Sequence, residues 1–106
     1  SGIGEDEGNL PILPMEDIVT AYYLRLLAVD RPGVLARVAT ILSEQGISIE
    51  ALVQKEATEG ELVPIILLTH SCREKQMNEA IRHIESMADI AGPVTRIRVE
   101  SLDEQE

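Results

Sequence analysis

The spacing of apolar positions switches between two residues and three to four along this chain, and each switch marks an element. Ala21 to Val29 is β-favouring, carries Tyr22, Leu24, Leu26 and Ala28 on one face, and ends at the turn signal Asp30-Arg31-Pro32-Gly33. Beyond it Val34, Leu35, Val38, Ala39, Ile41 and Leu42 recur at helical spacing, leaving Arg37, Ser43 and Glu44 outward. Gly46 stops that helix as a left-handed cap residue. Ile47, Ile49, Ala51 and Val53 alternate with Ser48, Glu50, Leu52 and Gln54, which predicts a half-buried second strand. Thr58-Glu59-Gly60-Glu61 separates it from the apolar stretch Leu62 to Thr69, so these two strands form a hairpin closed at Gly60.

Ser71-Cys72-Arg73-Glu74 has the spacing of a capping box, Ser71 and Glu74 each bonding the other's amide, and predicts a second helix. Its buried stripe is Met77, Ala80, Ile81, Ile84, Met87 and Ala88; Ala91-Gly92-Pro93 breaks it. Val94 to Ser101 returns to strand alternation, with Ile97 and Val99 inward and Arg96 and Arg98 away. The order β-α-β-β-α-β predicts an α+β, ferredoxin-like sandwich: a four-stranded antiparallel sheet in spatial order 4-1-3-2 with both helices on one face. The other face has no helix over it, yet Leu27 and Val29 point there. A domain this small gains little from burial over chain entropy. The pattern therefore predicts a homodimer or higher oligomer, joined through the sheet edge to edge or face to face. In the competing arrangement residues 1–19 fold back over that face.

Composition narrows the function. The chain of 106 residues has room for one domain, and its net charge of −10 repels nucleic acid and anionic lipid. The acids crowd the ends, with no base among residues 1–17 or 100–106, and residues 18–99 are close to neutral. Residues 1–19, rich in Gly, Pro and acid, read as linker; residues 20–102 are the domain and 103–106 an acidic tail. Cys72 is the one cysteine, which excludes an intrachain disulfide and, with no secretory leader pattern, points to the cytoplasm. Apolar runs such as Ile65 to Leu68 fall far short of the roughly 20 residues of a membrane span.

Candidate chemistry is sparse. His70, Cys72 and His83 lack the spacing of a structural zinc site, and no serine sits in a nucleophile signature. Two tyrosines with no Phe or Trp do not make a base-stacking platform. Arg25, Arg96 and Arg98 form at most a modest basic strip, better read as solvated ion pairs. A small ferredoxin-like hydrolase would have only Arg31 and Asn78 to work with. The informative segment is the turn. Asp30 is placed to cap the following helix, Pro32 suits its first turn, and Gly33 lets a backbone or ligand approach closely. The amides of Gly33, Val34 and Leu35, aided by the helix dipole, suit a carboxylate, and Asp30 suits an ammonium group. Together these are the two ends of a free amino acid, whose side chain would meet Ile47, Ser48 and Ile49. A purely structural role for Gly33 in strand-to-helix packing is the competing reading.

Tyr22 to Glu50, with its D-R-P-G-V-L turn and Q-G-I-S-I-E segment, is similar to ACT domains. With Ala51-Leu-Val-Gln-Lys-Glu56, Ile66-Leu-Leu-Thr-His-Ser71 and Met77-Asn-Glu-Ala-Ile81 it most resembles the carboxy-terminal ACT domain of bacterial homoserine dehydrogenases, over about residues 10–102. The resemblance implies a non-catalytic regulatory domain. Threonine is the implied feedback ligand, bound by Asp30, Arg31, Gly33, Val34 and Leu35 on the turn and by Ile47, Ser48 and Ile49 on the next strand, often at a subunit interface. It further implies that residues 1–19 lead from a catalytic region. There NAD(P) would serve aspartate semialdehyde reduction on the route to threonine and methionine, and no cofactor is expected in this segment. Many ACT domains carry Asn where this chain has Asp30. An oligomerisation module with an inert turn is the alternative.

Overall fold

The computed structural model describes residues 14–56 and 60–99. Most of the predicted linker, Thr58 and Glu59 of the predicted hairpin turn, and the acidic tail lie outside the described residues. A 3-10 turn at Met15–Asp17 leads into β1 (Val19–Val29), followed by α1 (Val34–Glu44), β2 (Ile49–Gln54), β3 (Leu62–Thr69), β4 (Cys72–Arg73), α2 (Glu74–Glu85) and β5 (Ile90–Val99).

β1 is the centre of the sheet. It pairs antiparallel with β3 on one side and β5 on the other, and β2 pairs antiparallel with the far side of β3. The strand order β2-β3-β1-β5 is the predicted one. The two-residue β4 pairs with Val19 and Thr20 and continues the line of β3 along β1. Thr69 marks the break between them: its buried Oγ1 accepts the Tyr22 amide at 3.1 Å where a ladder bond would have been.

Alternation along β1 sends Tyr22, Leu24, Leu26 and Ala28 under the helices, where each is almost wholly buried. They pack with Val38 and Leu42 of α1, Ile65 and Leu67 of β3, and Met77 and Ile84 of α2 in one cluster. Burying a side chain of this size stabilises by about 1.5–3 kcal/mol, so this layer holds both helices to the sheet. The end of α1 is fixed by backbone bonds. Gly46 is left-handed at φ 78°, its amide donates to Ser43 O at 2.9 Å, and the Ile47 amide reaches back to Leu42 O at 2.9 Å.

Several local expectations give way. Gly33, not Asp30, is the N-cap of α1, and no side chain caps that helix. The predicted Ser71-Glu74 capping box is replaced by a single bond at Arg73, whose amide donates to Gln76 Oε1 at 2.8 Å. Cys72 is drawn into β4, and the Glu74 carboxylate turns toward Tyr22 and Arg98 instead. α2 ends at Glu85, before Met87 and Ala88, and Ala91-Gly92-Pro93 lies inside β5 as an irregularity in its pairing with β1. Glu85 Oε2 accepts the Val94 amide there at 2.7 Å. Within the predicted stretch of β5, Val94 is buried and Ile97 is 54 % exposed, so Arg96 and Arg98, not Ile97 and Val99, share the helix side. Register confirms it, since Arg98 pairs with Tyr22 and Arg96 with Leu24. Arg25 lies on the opposite face, and no three-arginine strip exists.

Candidate functional site

The chain must pass from β1 into α1 within four residues, and Gly33 makes this possible by adopting φ 89°, ψ −15°. A Cβ built there would meet nothing within 4 Å, so the requirement is conformational, with open space beside the backbone. That space is a cavity of about 410 Å³ lined by Val29, Asp30, Arg31, Pro32, Gly33, Val34, Leu35, Gln54 and Ile65. A neighbouring depression of about 390 Å³ shares Asp30 and Gln54 and adds Lys55 and Glu56.

The donors at this helix start are largely unspent. Val34 donates to Arg31 O over a long 3.3 Å, and Arg37 N to Gly33 O at 3.0 Å. Among the described residues, the amides of Gly33 and Leu35 donate to no other backbone group, and no side chain caps the helix. An uncapped helix start concentrates partial positive charge at the cavity wall. The turn itself is tied down from two sides. Asp30 N donates to Glu61 O at 2.8 Å and Asp30 O accepts from Gly60 N at 3.1 Å, while Val29 N donates to Asp89 O at 2.8 Å. Arg31 Nη1 bonds Asp89 Oδ1 at 2.7 Å. Asp30 is thus held by its backbone, and its carboxylate is not used as a helix cap.

Of the residues predicted for the site, Asp30, Arg31, Gly33, Val34 and Leu35 come together on this cavity. Ile47, Ser48 and Ile49 do not. Because β1 and β2 both run antiparallel to β3, they are parallel to one another, and the end of β2 lies beside the turn while its start lies at the far end of the sheet. There Ile47 is buried in the core, Ser48 O accepts from His70 N at 2.9 Å, and Ile49 pairs with Thr69. α1, rising about 1.5 Å per residue, spans the distance between the two ends. Gln54, Glu61 and Asp89 were not anticipated. The predicted strand order already contained the signal for Gln54, whereas Asp89 sits in the loop after α2 and no local pattern points to it.

A second polar cluster lies near the start of β1. Tyr22, Glu74, Arg96 and Arg98 line a cavity of about 300 Å³. Glu74 Oε1 accepts from the Tyr22 hydroxyl at 3.2 Å and from Arg98 Nη2 and Nε at 2.6 and 3.0 Å. The Arg98 hydrogen bonds hold the Glu74 carboxyl below its usual range, and burial, with Glu74 beside it, pushes the Tyr22 hydroxyl up. Elsewhere, Cys72 is buried with its thiol pushed up by burial, and His83 lies on the exposed side of α2. Among the described residues no three His, Cys, Asp or Glu side chains converge. Arg31 is tied to Asp89 beyond the end of α2, and Asn78 sits in that helix's second turn, so the two do not form a hydrolase pair. No helix among the described residues is long and apolar enough to cross a membrane.

Comparison with known proteins agrees with this arrangement. A sequence model of the ACT domain matches residues 22–89. Homoserine dehydrogenase from Pseudomonas aeruginosa is 57 % identical over 94 residues, covering 88 % of this chain and 22 % of the relative. The crystal structure of a homoserine dehydrogenase from Thiobacillus denitrificans superposes with a TM-score of 0.81 at 55 % identity, covering 90 % of this chain and 21 % of that one. The regulatory subunit of aspartate kinase from Thermus thermophilus, in a ligand-free form, shares the fold at a TM-score of 0.56 and 21 % identity, over 74 % of this chain and 51 % of that one. The chain spans about a fifth of the length of the curated relatives it matches.

Proposed function

The chain belongs to the ACT domain family, and from that premise we propose that it is a regulatory domain sensing a free amino acid, threonine foremost, in the cavity of the β1–α1 turn. The observation that carries this reading is the uncapped start of α1 facing an open cavity beside the Asp30 carboxylate. The amides of Gly33 and Leu35 and the helix dipole receive the ligand's carboxylate. Asp30 receives its ammonium group, and Gln54 supplies a polar partner for a small side chain. Arg31 is engaged by Asp89 and shapes the wall in preference to clamping the ligand.

The parent is read as a homoserine dehydrogenase, interconverting aspartate semialdehyde and homoserine, with this domain reporting the level of a downstream amino acid. Sequence identity over this stretch supports that reading. Residues 1–19 would serve as the link to the catalytic part. A nicotinamide cofactor would be held outside this chain: the turn after β1 offers Gly33 alone, where a dinucleotide site uses a cluster of glycines behind a parallel strand. Ile47, Ser48 and Ile49 would reach a ligand only from a second copy. β2 is an edge strand, and antiparallel pairing of two such edges sets the start of one beside the end of the other.

Titration calorimetry of the chain with L-threonine, then with other small amino acids, tests this. The expected result is a saturable heat that Asp30→Ala abolishes. No heat at millimolar ligand would reduce the domain to an oligomerisation module.

A further inference from the structure

The cavity of the β1–α1 turn carries charges of both signs. Asp30 and Arg31 line it, and Lys55 and Glu56 line the depression that adjoins it through Asp30 and Gln54. Asp89 joins them from the loop after α2, and backbone geometry delivers it there. Its carbonyl accepts the Val29 amide at 2.8 Å, and Ile90 beside it pairs with Ala28 of β1. From that position its Oδ1 accepts from Arg31 Nη1 at 2.7 Å. The Asp89 side chain is 29 % exposed against 60 % for Arg31, so the carboxylate is the more enclosed partner.

We infer that Asp89 is a specificity-determining residue that keeps amino acids with an acidic side chain out of this cavity; the inference rests on the amino-acid-sensing reading above. A ligand seated by its carboxylate on the Gly33 and Leu35 amides, with its ammonium group on Asp30, turns its side chain toward Gln54 and Arg31 in a cavity of about 410 Å³. Arg31 is the basic residue lining that wall, and a side-chain carboxylate would be drawn to it. Asp89 has already neutralised it. An incoming carboxylate must therefore displace Asp89, exchanging one ion pair for another, or approach a neutral pair flanked by the like charges of Asp30 and Asp89. An uncharged side chain meets neither obstacle. Lys55 offers no way round, because it shares its depression with Glu56 and Asp30. Discrimination thus comes from an unfavourable contact set against the wrong ligand and needs no added bond to the right one.

L-asparagine and L-aspartate have nearly the same shape and differ in side-chain charge, so the ratio of their dissociation constants reads the effect directly. Calorimetry at low ionic strength, with these two and L-threonine, is run on the native chain, Asp89→Asn, Asp89→Glu and the double variant of Asp89→Asn with Arg31→Gln. The Val29–Asp89 backbone bond remains in every variant, and circular dichroism should show each of them folded. The native chain is expected to bind asparagine at least tenfold more tightly than aspartate. Asp89→Asn should cut that preference at least fivefold by releasing Arg31, and Asp89→Glu should retain most of it. Adding Arg31→Gln to Asp89→Asn should restore the preference, which a merely structural role for Asp89 would not produce. If native affinity for aspartate lies below detection, its appearance in Asp89→Asn supports the inference and its continued absence overturns it. Threonine binding together with a preference that Asp89→Asn leaves unchanged also overturns the inference, while the sensing reading stands. A native chain that takes aspartate as tightly as asparagine does the same. A chain that binds none of the three amino acids in any form removes both.

Discussion

Arg31 Nη1 donates to Asp89 Oδ1 at 2.7 Å and so ties the β1–α1 turn to the loop between α2 and β5. The Arg31 side chain is 60 % exposed, which places the pair among solvent-screened ones worth no more than about 1 kcal/mol. Arg31→Ala should therefore shift the midpoint of urea unfolding slightly and leave its slope unchanged. The backbone bond from Val29 N to Asp89 O persists in the variant and keeps the loop in place. A loss well above 1 kcal/mol would show that the guanidinium, and not this backbone bond, positions the turn.

Gly33→Ala separates conformation from crowding. A Cβ at residue 33 meets no atom, yet φ 89° lies where L side chains are strained. The expected cost is about 1–2 kcal/mol, from backbone strain alone. Thermal unfolding monitored by circular dichroism measures it. A neutral substitution would mean the turn relaxes to another conformation, and the cavity with it.

The sheet order, the strand-helix alternation and the core face of β1 were legible because each rests on a period repeated over many residues. Tyr22, Leu24, Leu26 and Ala28 declare one face whatever surrounds them. What was not legible depends on partners distant in sequence. In β5 both alternations carry apolar residues, and Val94 rather than Ile97 is inward because the rim at Tyr22 and Glu74 offers Arg98 a carboxylate. The same carboxylate, engaged across the sheet rim, is lost to the capping box that local spacing at Ser71 suggested. On the candidate site, the turn half was readable from Asp30 to Leu35 as a local motif. The second half was assigned to the start of β2, whereas within one copy the strand order brings its end, Gln54, to the cavity.

Tyr22 combines a wholly buried residue with a hydroxyl that bonds Glu74 at 3.2 Å. Tyr22→Phe keeps the ring and loses one hydrogen bond, for an expected loss of about 0.5–1.5 kcal/mol. Tyr22→Ala empties the core beneath α2 and should cost on the order of 3–5 kcal/mol. Equilibrium denaturation of the pair gives both values. Similar losses in the two variants would mean that the hydroxyl network, not the ring, anchors that end of β1.

Acid should expose the Glu74–Arg98 pair. The guanidinium holds the Glu74 carboxyl below its ordinary value of 4.5, so the folded state favours the charged form more than the unfolded chain does. That preference stabilises the fold fully above the unfolded value and is lost as pH falls through the lower folded one. Arg98 remains charged and the raised Tyr22 hydroxyl remains protonated across this interval, so Glu74 is the member of the cluster that titrates. Glu74→Gln removes the titration while leaving an acceptor for Tyr22 and Arg98. Thermal melts from pH 7 to pH 3 should show the native chain ahead of Glu74→Gln at neutral pH, with the gap closing below about 4.5. A gap that stayed constant on acidification would mean that Glu74 contributes through packing and neutral hydrogen bonding, with no part played by its charge.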